Sequence, residues 1–532
     1  MQKRAPALWV ALFFAVLTAA GLLTSADYGQ PLDGPSEQVI LQENMKEYAV
    51  LLLGEDSAQV KGYDDLGIDR ITGSIEMDHG QAAYYPAAPL LAIREDNPQL
   101  FNTLWHMYTW LWFMAGVLSV YCICRSLGLS HVLACAAALL FFLSPRFFAE
   151  GHYNNKDVVL LSLALWTTAA GIRFFGRPNI RRALFFGLAG ALAANTRIIG
   201  FFVFGVMGIT ALITLAVRRE ITRQVIWSGV AAILSFLAVY ILVTPAFLFN
   251  PAGFISHLLH NAAAFTRWTG VVIFKGAVYD PTGGLPLPRS YLPTMIALTV
   301  PVSVLALAAT GGGYALFLCA MGDRRRPALI ALIALFAAPL LYGVLAHPLM
   351  YNGWRHFYFL YGPMIALAGL GLEFLRKLLA NSRVGKAAGA VALALIFLYQ
   401  GVGVALNHPY QYAYYNELAK DAQRDYELDY WEVSTLNAMT LLAENKDRNP
   451  DLPLMLGGGD PMSLFSLNQC VEMLPNSLRG VMAVTGAENP PYVFSNTTYA
   501  AIYSQRPGAE YRELFTVKSY GNVLCTVYER ME

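Results

Sequence analysis

About eleven apolar runs, each close to the length that crosses a lipid bilayer, decide what this chain can fold into. Their extents are 6–25, 102–123, 129–145, 157–174, 182–196, 199–217, 225–247, 292–320, 327–346, 356–375 and 386–405. A spanning helix needs about 20 mostly apolar residues, because the hydrocarbon core is about 30 Å thick and each helical residue rises about 1.5 Å. No water is available there to satisfy a free backbone group, so runs of this kind are helical. The chain is 56% hydrophobic and 14% charged, where a soluble domain carries about a quarter charged residues. The net charge of +1 gives no basic surface for nucleic acid. The expected fold class is therefore an all-α polytopic membrane protein with about 11 transmembrane helices. The first run has the length of a signal peptide, but "TSADYG" is a weak cleavage site and the run reads as a retained anchor.

Lys and Arg in the short connections set the orientation. Lys3 and Arg4, Arg125, Arg173 to Arg182, Arg218 to Arg223, Arg324 to Arg326, and Arg376 to Lys386 all fall in alternate connections. Those connections are read as cytoplasmic. The N-terminus is then cytoplasmic and, with an odd number of spans, the C-terminal region is periplasmic or extracellular. The expected location is the cell (inner) membrane, multi-pass.

The opposite connections hold the unusual chemistry. "SPRFFAEGHYNNKDVV", from Ser144 to Val159, packs Arg146, Glu150, His152, Asn154, Asn155, Lys156 and Asp157 between two apolar runs. Arg197 ends the fifth run, and Arg355 and His356 stand at the start of the tenth. The first outside loop, about 26–101, opens with Asp33 and Glu37 and later offers Glu76, Asp78 and His79. Plain readings exist for most of these residues. Asp33 lies in "LDGP", a good turn. Glu37 and Asp157 suit the first turn of a helix. Arg197 can snorkel to headgroups. What those readings leave unexplained is the concentration of both signs of charge at one face. Carboxylates there can hold a divalent metal or take a proton, and forked guanidinium groups suit phosphate. In the same loop Leu41, Met45, Tyr48 and Leu52 recur at helical spacing after a candidate cap at Ser36 and before Gly54. This predicts a surface-lying amphipathic helix.

No GxGxxG after a strand, GxxxxGK[ST] or HExxH motif occurs. Cys122, Cys124, Cys135 and Cys319 lie in apolar runs and read as buried hydrophobes, whereas Cys470 and Cys525 lie in the polar C-terminal region, where a disulfide is open.

On these residues the chain resembles the polytopic GT-C glycosyltransferases, and within them the protein O-mannosyltransferase-like and aminoarabinose-transferase-like bacterial group. "SPRFFAEGHYNNKD" is similar to that group's SPR-F-A…N-KD loop. "TPAFLFNP", "LPRSYLP", "NGWRHFYFLYGP" and "HPYQYAYYNEL" read like its other segments. The resemblance covers nearly all the spans and the outside loops. It implies a membrane glycosyltransferase that moves a sugar from a polyprenyl-phosphate donor to an acceptor hydroxyl with inversion. Asp33 takes the place of the family's first-loop carboxylate, as general base, and Asp157 that of its second acid. Lys156, Arg197 and Arg355 are the implied phosphate ligands, with Asn155 and His356 as orienting groups. A divalent cation, Mg or Mn, is implied on Asp33, Glu37 and Asp157. The sequence departs from the family in lacking an adjacent Asp-Glu or Asp-Asp pair. The second acid is Glu37, Glu76 or Asp78, or is absent.

After the last run the pattern changes to short strands and a helix, from about residue 430. The expected division is a transmembrane GT-C-like catalytic module at 1–406 and a small extracytoplasmic α/β domain at 407–532. The aromatic "YQYAYYNEL" is read as an interfacial anchor. Two other functions stay in play, a transporter or flippase and a non-catalytic GT-C-like scaffold. Transporters place ionisable groups near the midplane, whereas here the span interiors are nearly uncharged.

Overall fold

The computed structural model describes residues 5–263, 270–445, 454–499, 502 and 507–531. Among them, nine helices are long and apolar enough to cross a membrane. The pair His131–Phe142 and Pro145–Tyr153, bent by 71°, makes up to ten. The polytopic helical fold expected from the apolar runs is therefore present, with a lower count than eleven. The run at 182–196 forms the helix Ile180–Thr196, whose 17 residues reach about 25 Å, the lower edge of a spanning length. It runs antiparallel to Asp157–Gly176, since Arg197 past its C-terminal end pairs with Asp157 at the other helix's start (3.1 Å).

Several apolar runs are broken where they approach the charged face, and proline is the reason. The residue before a proline is pushed out of the helical region toward extended backbone. Ser144 before Pro145 has ψ 111°, Thr244 before Pro245 has ψ 85° and Val300 before Pro301 has ψ 136°. The run at 292–320 thus becomes Tyr291–Thr299 followed by Val302–Ala320. The run at 129–145 stops at Phe142 and turns, so that the polar residues of Pro145–Tyr153 lie at the end of the bundle.

The bundle interior uses small residues to bring backbones together. A side chain added at Gly311 would collide with the Leu367 carbonyl on the helix Tyr361–Leu378, whereas one added at Gly312 meets open space. Gly311→Leu is expected to lower the unfolding midpoint of the detergent-solubilised protein through overpacking, about 1–3 kcal/mol or more. Gly312→Leu is expected to leave it unchanged, and equal midpoints for the two would contradict this packing.

Two spans are enclosed almost entirely by protein. The most apolar windows of Asp157–Gly176 and Asn352–Leu378 are 89% buried, against 11% for the last span, Arg383–Leu406. The enclosed pair carries Asp157 and Arg355 at its N-terminal ends, so the charged face sits over the most enclosed part of the bundle. The first loop forms the helix Gly34–Leu53, which starts two residues before Ser36 because Pro35 suits the first turn. It ends at Gly54 with φ 83°. Leu41 is fully buried in a cluster with Phe101, Trp105 and Val159. Burial of such a side chain contributes about 1.5–3 kcal/mol, and it presses this helix down on the start of Asp157–Gly176.

The C-terminal region holds a five-stranded sheet in spatial order Met482–Val484, Leu454–Gly458, Tyr492–Asn496, Asn522–Arg530, Tyr511–Ser519. The first three strands are parallel and the last two join antiparallel. Pro461–Glu472 crosses between Leu454–Gly458 and Met482–Val484, capped by Asp460, which accepts from the N–H groups of Met462 and Ser463 at 2.9 Å each. Cys470 and Cys525 are both buried in this unit as free thiols.

Candidate active site

The polar loop and the aromatic C-terminal segment lock together at the end of the bundle. Arg146 is buried, with its guanidinium over the rings of Tyr412 (4.7 Å) and Tyr415 (4.5 Å), and its Nε donates to the Tyr414 carbonyl (3.0 Å). Tyr412 and Tyr414 are buried as well. Tyr412, Tyr414 and Tyr415 of "YQYAYYNEL", a segment read from its composition as an interfacial anchor, therefore clamp the polar loop.

Beside this clamp the distant charges meet around a cavity of about 220 Å³, lined by Asp33, Glu37, Glu76, His79, Lys156, Arg197, Tyr351, Arg355 and Tyr430 among others. Asp33 stands at the N-cap position of Gly34–Leu53, yet its side chain caps nothing. Its Oδ2 instead accepts from Lys156 Nζ (3.1 Å) and Arg355 Nη1 (2.9 Å). Lys156 Nζ also donates to Glu37 Oε1 (2.5 Å), so one ammonium bridges two carboxylates. Glu37 further accepts from Gln81 Nε2 (2.9 Å) and faces His79 Nε2 (3.4 Å), whose Nδ1 lies 3.2 Å from Glu76.

Arg355 is aimed by an unusual backbone. Gly353 and Trp354 before it both have positive φ (68° and 56°), rare for a bulky residue. Trp354 is held there by its indole N–H, which donates to Thr299 Oγ1 (2.9 Å). Asp157 is the first residue of its helix, but its carboxylate pairs with Arg197, which accordingly does not snorkel away. The Asp157 backbone N–H is accepted by Asn154 Oδ1 (2.8 Å).

The electrostatics follow from these pairs. Burial alone would raise the Asp33 pKa, but the Lys156 ammonium and the Arg355 guanidinium outweigh it and hold the carboxyl well below its ordinary value. Glu37 is likewise lowered, burial being outweighed by His79 and Lys156. Lys156 is raised, because Asp33 and Glu37 overcome its desolvation. Asp33 keeps 28% of its side chain exposed toward the cavity, against 2% for Glu37, so of the two carboxylates held by Lys156 it is Asp33 that a substrate can reach.

The expected metal set of Asp33, Glu37 and Asp157 is not formed. Among the described residues no group of three or more His, Cys, Asp and Glu is arranged to hold a metal ion. The donor chemistry also does not fit one. Asp33 and Glu37 are already neutralised by Lys156 and Arg355, and Asp157 by Arg197, so a Mg or Mn ion would meet cations before free carboxylate oxygen. Asn155 is buried and His356 half-buried, neither lines the cavity, and the His356 ring packs against Tyr351 (3.7 Å between centroids). Asp78 pairs with His257 (3.4 Å), away from the Asp33 cluster. The cavity also uses residues that sequence reasoning missed. Tyr351 and Tyr430 form part of its wall, and no charge marks either of them in the sequence.

A neighbouring carboxylate behaves differently. Glu427 accepts from the Ile273 N–H (2.8 Å) and from Asn352 Nδ2 (2.5 Å). Its burial outweighs these bonds and raises its pKa to about 7. A raised acid holds its proton in the folded state while the unfolded chain has lost it, so stability falls as pH rises from about 4.5 to about 7. Glu427→Gln keeps the acceptor and is expected to raise the unfolding midpoint at pH 8 but not at pH 4. An equal shift at both would contradict the assignment.

Residues 102–247, which include Lys156, Asp157 and Arg197, match the family model described as dolichyl-phosphate-mannose-protein mannosyltransferase. None of the curated proteins matches the chain. Among solved structures, the Archaeoglobus fulgidus oligosaccharyltransferase in the apo form is similar at 12% identity and a TM-score of 0.46, covering 86% of this chain and 64% of that one. The chain thus spans less than two thirds of that protein's length. ArnT from Cupriavidus metallidurans is similar at 14% identity over 98% of each chain, with a TM-score of 0.43 in the apo state and 0.46 bound to undecaprenyl phosphate. The family that this chain matches, over residues 102–247, is that of the dolichyl-phosphate-mannose-protein mannosyltransferases, in agreement with the GT-C resemblance of its loops.

Proposed function

We propose that the cavity is the active site of a membrane glycosyltransferase acting on the non-cytosolic face. It moves a sugar from a polyprenyl phosphate to an acceptor hydroxyl, with inversion at C1. The observation that carries this reading is the convergence of Asp33, Lys156, Arg197 and Arg355, from four distant parts of the chain, on one cavity at the end of the bundle. A lipid-linked phosphate must be met at the membrane surface, and this is where the charges lie.

Arg197 and Lys156 are the proposed phosphate contacts. Arg197 has 22% of its side chain exposed and is oriented by its carboxylate partner, Asp157. Arg355 is only 4% exposed and is committed to Asp33. It therefore holds the base, a change from the phosphate role implied by the resemblance. Asp33 takes the acceptor's proton as the acceptor oxygen attacks C1 and the C1–O bond to phosphate breaks. Its depressed pKa makes it a weak base at rest. A phosphate drawn to Lys156 shares that ammonium and returns basicity to Asp33 when the donor is bound. The negative charge that grows on the leaving phosphate is met by Arg197 and Lys156, and no step is routed through a divalent ion.

The test is incubation of the purified protein with a panel of polyprenyl-phosphate sugars and acceptors, with products read by mass spectrometry. Release of polyprenyl phosphate with a glycosylated acceptor supports the reading. Cleavage of no donor turns it toward transport.

A further inference from the structure

The segment Glu427 to Thr435 leaves the membrane bundle for the C-terminal sheet, and on the way it crosses the cavity. Arg355 Nη2 donates to the Tyr430 hydroxyl at 2.6 Å, while Nη1 donates to Asp33 at 2.9 Å. The guanidinium lies over the rings of Tyr430 (4.5 Å), Trp431 (5.0 Å) and Tyr351 (5.1 Å). Trp431 is itself fixed on two sides. Its indole N–H donates to Glu150 Oε1 (3.0 Å), and its carbonyl accepts from the Leu32 N–H (3.0 Å), the residue before Asp33. At the sheet end Asp429 accepts from the N–H groups of Val433 (3.2 Å) and Ser434 (3.1 Å), and its carbonyl accepts from Thr498 Oγ1 (2.7 Å).

A planar fork held at one nitrogen alone can swing about that contact. Held at two, with rings covering its faces, it has one orientation. We propose that Tyr430 is a positioning residue of the candidate site: its hydroxyl and ring fix the Arg355 guanidinium so that Nη1 meets Asp33. The C-terminal sheet unit, through this strap, then completes the site and is more than an appended domain. The inference rests on the transferase reading for its rate effect, but the coupling between Tyr430 and Arg355 is measurable without it.

The experiment is a double-mutant cycle with Tyr430→Phe and Arg355→Lys. Tyr430→Phe keeps the ring and loses the acceptor, and it is expected to lower kcat about tenfold with little change in the donor KM. In the Arg355→Lys background, where no fork exists, Tyr430→Phe is expected to change kcat less than about twofold. A purely structural tyrosine would alter folded yield and leave kcat per folded molecule unchanged. Wild-type kcat in Tyr430→Phe, or a full tenfold drop persisting in the Arg355→Lys background, would overturn the proposal. The same cycle is read in the unfolding midpoints of the four purified proteins. If the wild-type protein turns over no donor, the transferase reading fails, and the midpoints still decide the coupling. Non-additive shifts support it, and additive shifts overturn it.

Discussion

Asp33→Asn is expected to lower transfer by about 10²–10⁴-fold, the range for loss of a positioned general base, while the protein still inserts and folds. The amide keeps an oxygen for Arg355 Nη1 but cannot take a proton from the acceptor. The substitution also removes one charge from the Asp33–Lys156–Arg355 cluster, so a smaller loss of thermal stability accompanies the loss of rate. The sign of its pH dependence is fixed. The folded pKa of Asp33 lies below its ordinary value of 3.8, so its contribution is present above about pH 4 and fades as pH falls through the folded value. The gap between wild-type and variant midpoints is therefore largest near neutrality and closes in acid. Full transfer activity in Asp33→Asn would remove this residue from the chemistry.

Lys156→Met is expected to be the most destabilising single change at the site. Lys156 bridges Asp33 and Glu37, and Glu37 is 2% exposed. Removing one member of a buried pair costs about 3–5 kcal/mol, because the remaining charge is left without compensation. Asp33 retains Arg355, so the burden falls on Glu37, which among the described residues then keeps Gln81 and His79 as polar partners. Burial is the largest influence on Glu37 and it raises the pKa. Without the ammonium its carboxyl is expected to take up a proton more readily. The stability deficit of Lys156→Met is then large at pH 8 and shrinks toward pH 5. Thermal unfolding at the two pH values checks this, and a wild-type midpoint at pH 8 would contradict the bridging role. Transfer is expected to fall as well, since a phosphate contact goes with the side chain.

Much of the site was legible because charges of both signs concentrate at one end of the apolar runs, which turns, helix caps and snorkelling explain singly but not together. Asp33, Lys156, Asp157, Arg197 and Arg355 were all visible on that ground, and four of them line one cavity while Asp157 holds Arg197. Which charge meets which was not legible, because pairing is set by how distant helices abut. That is why the carboxylates read as metal ligands turned out to be held by Lys156, Arg355 and Arg197. Tyr430 was hidden for another reason, since one tyrosine in a tyrosine-rich region carries no periodic signal and reaches Arg355 only through the path of the strap. The apolar runs gave the spans, but their count came out high because Ile180–Thr196 falls at the margin of spanning length. The breaks at Pro145, Pro245 and Pro301 follow from proline chemistry, but the apolar runs 129–145, 225–247 and 292–320 reach or cross these residues and hid them. The direction in which each break turned the chain depended on packing.

The most direct measurement is an experimental structure of the protein with a bound polyprenyl phosphate. The phosphate is expected within hydrogen-bonding distance of both Arg197 and Lys156, beside Asp33, with the lipid chain leaving toward the bilayer. A phosphate seated near the membrane midplane, or at a surface remote from Arg197 and Lys156, would contradict the account.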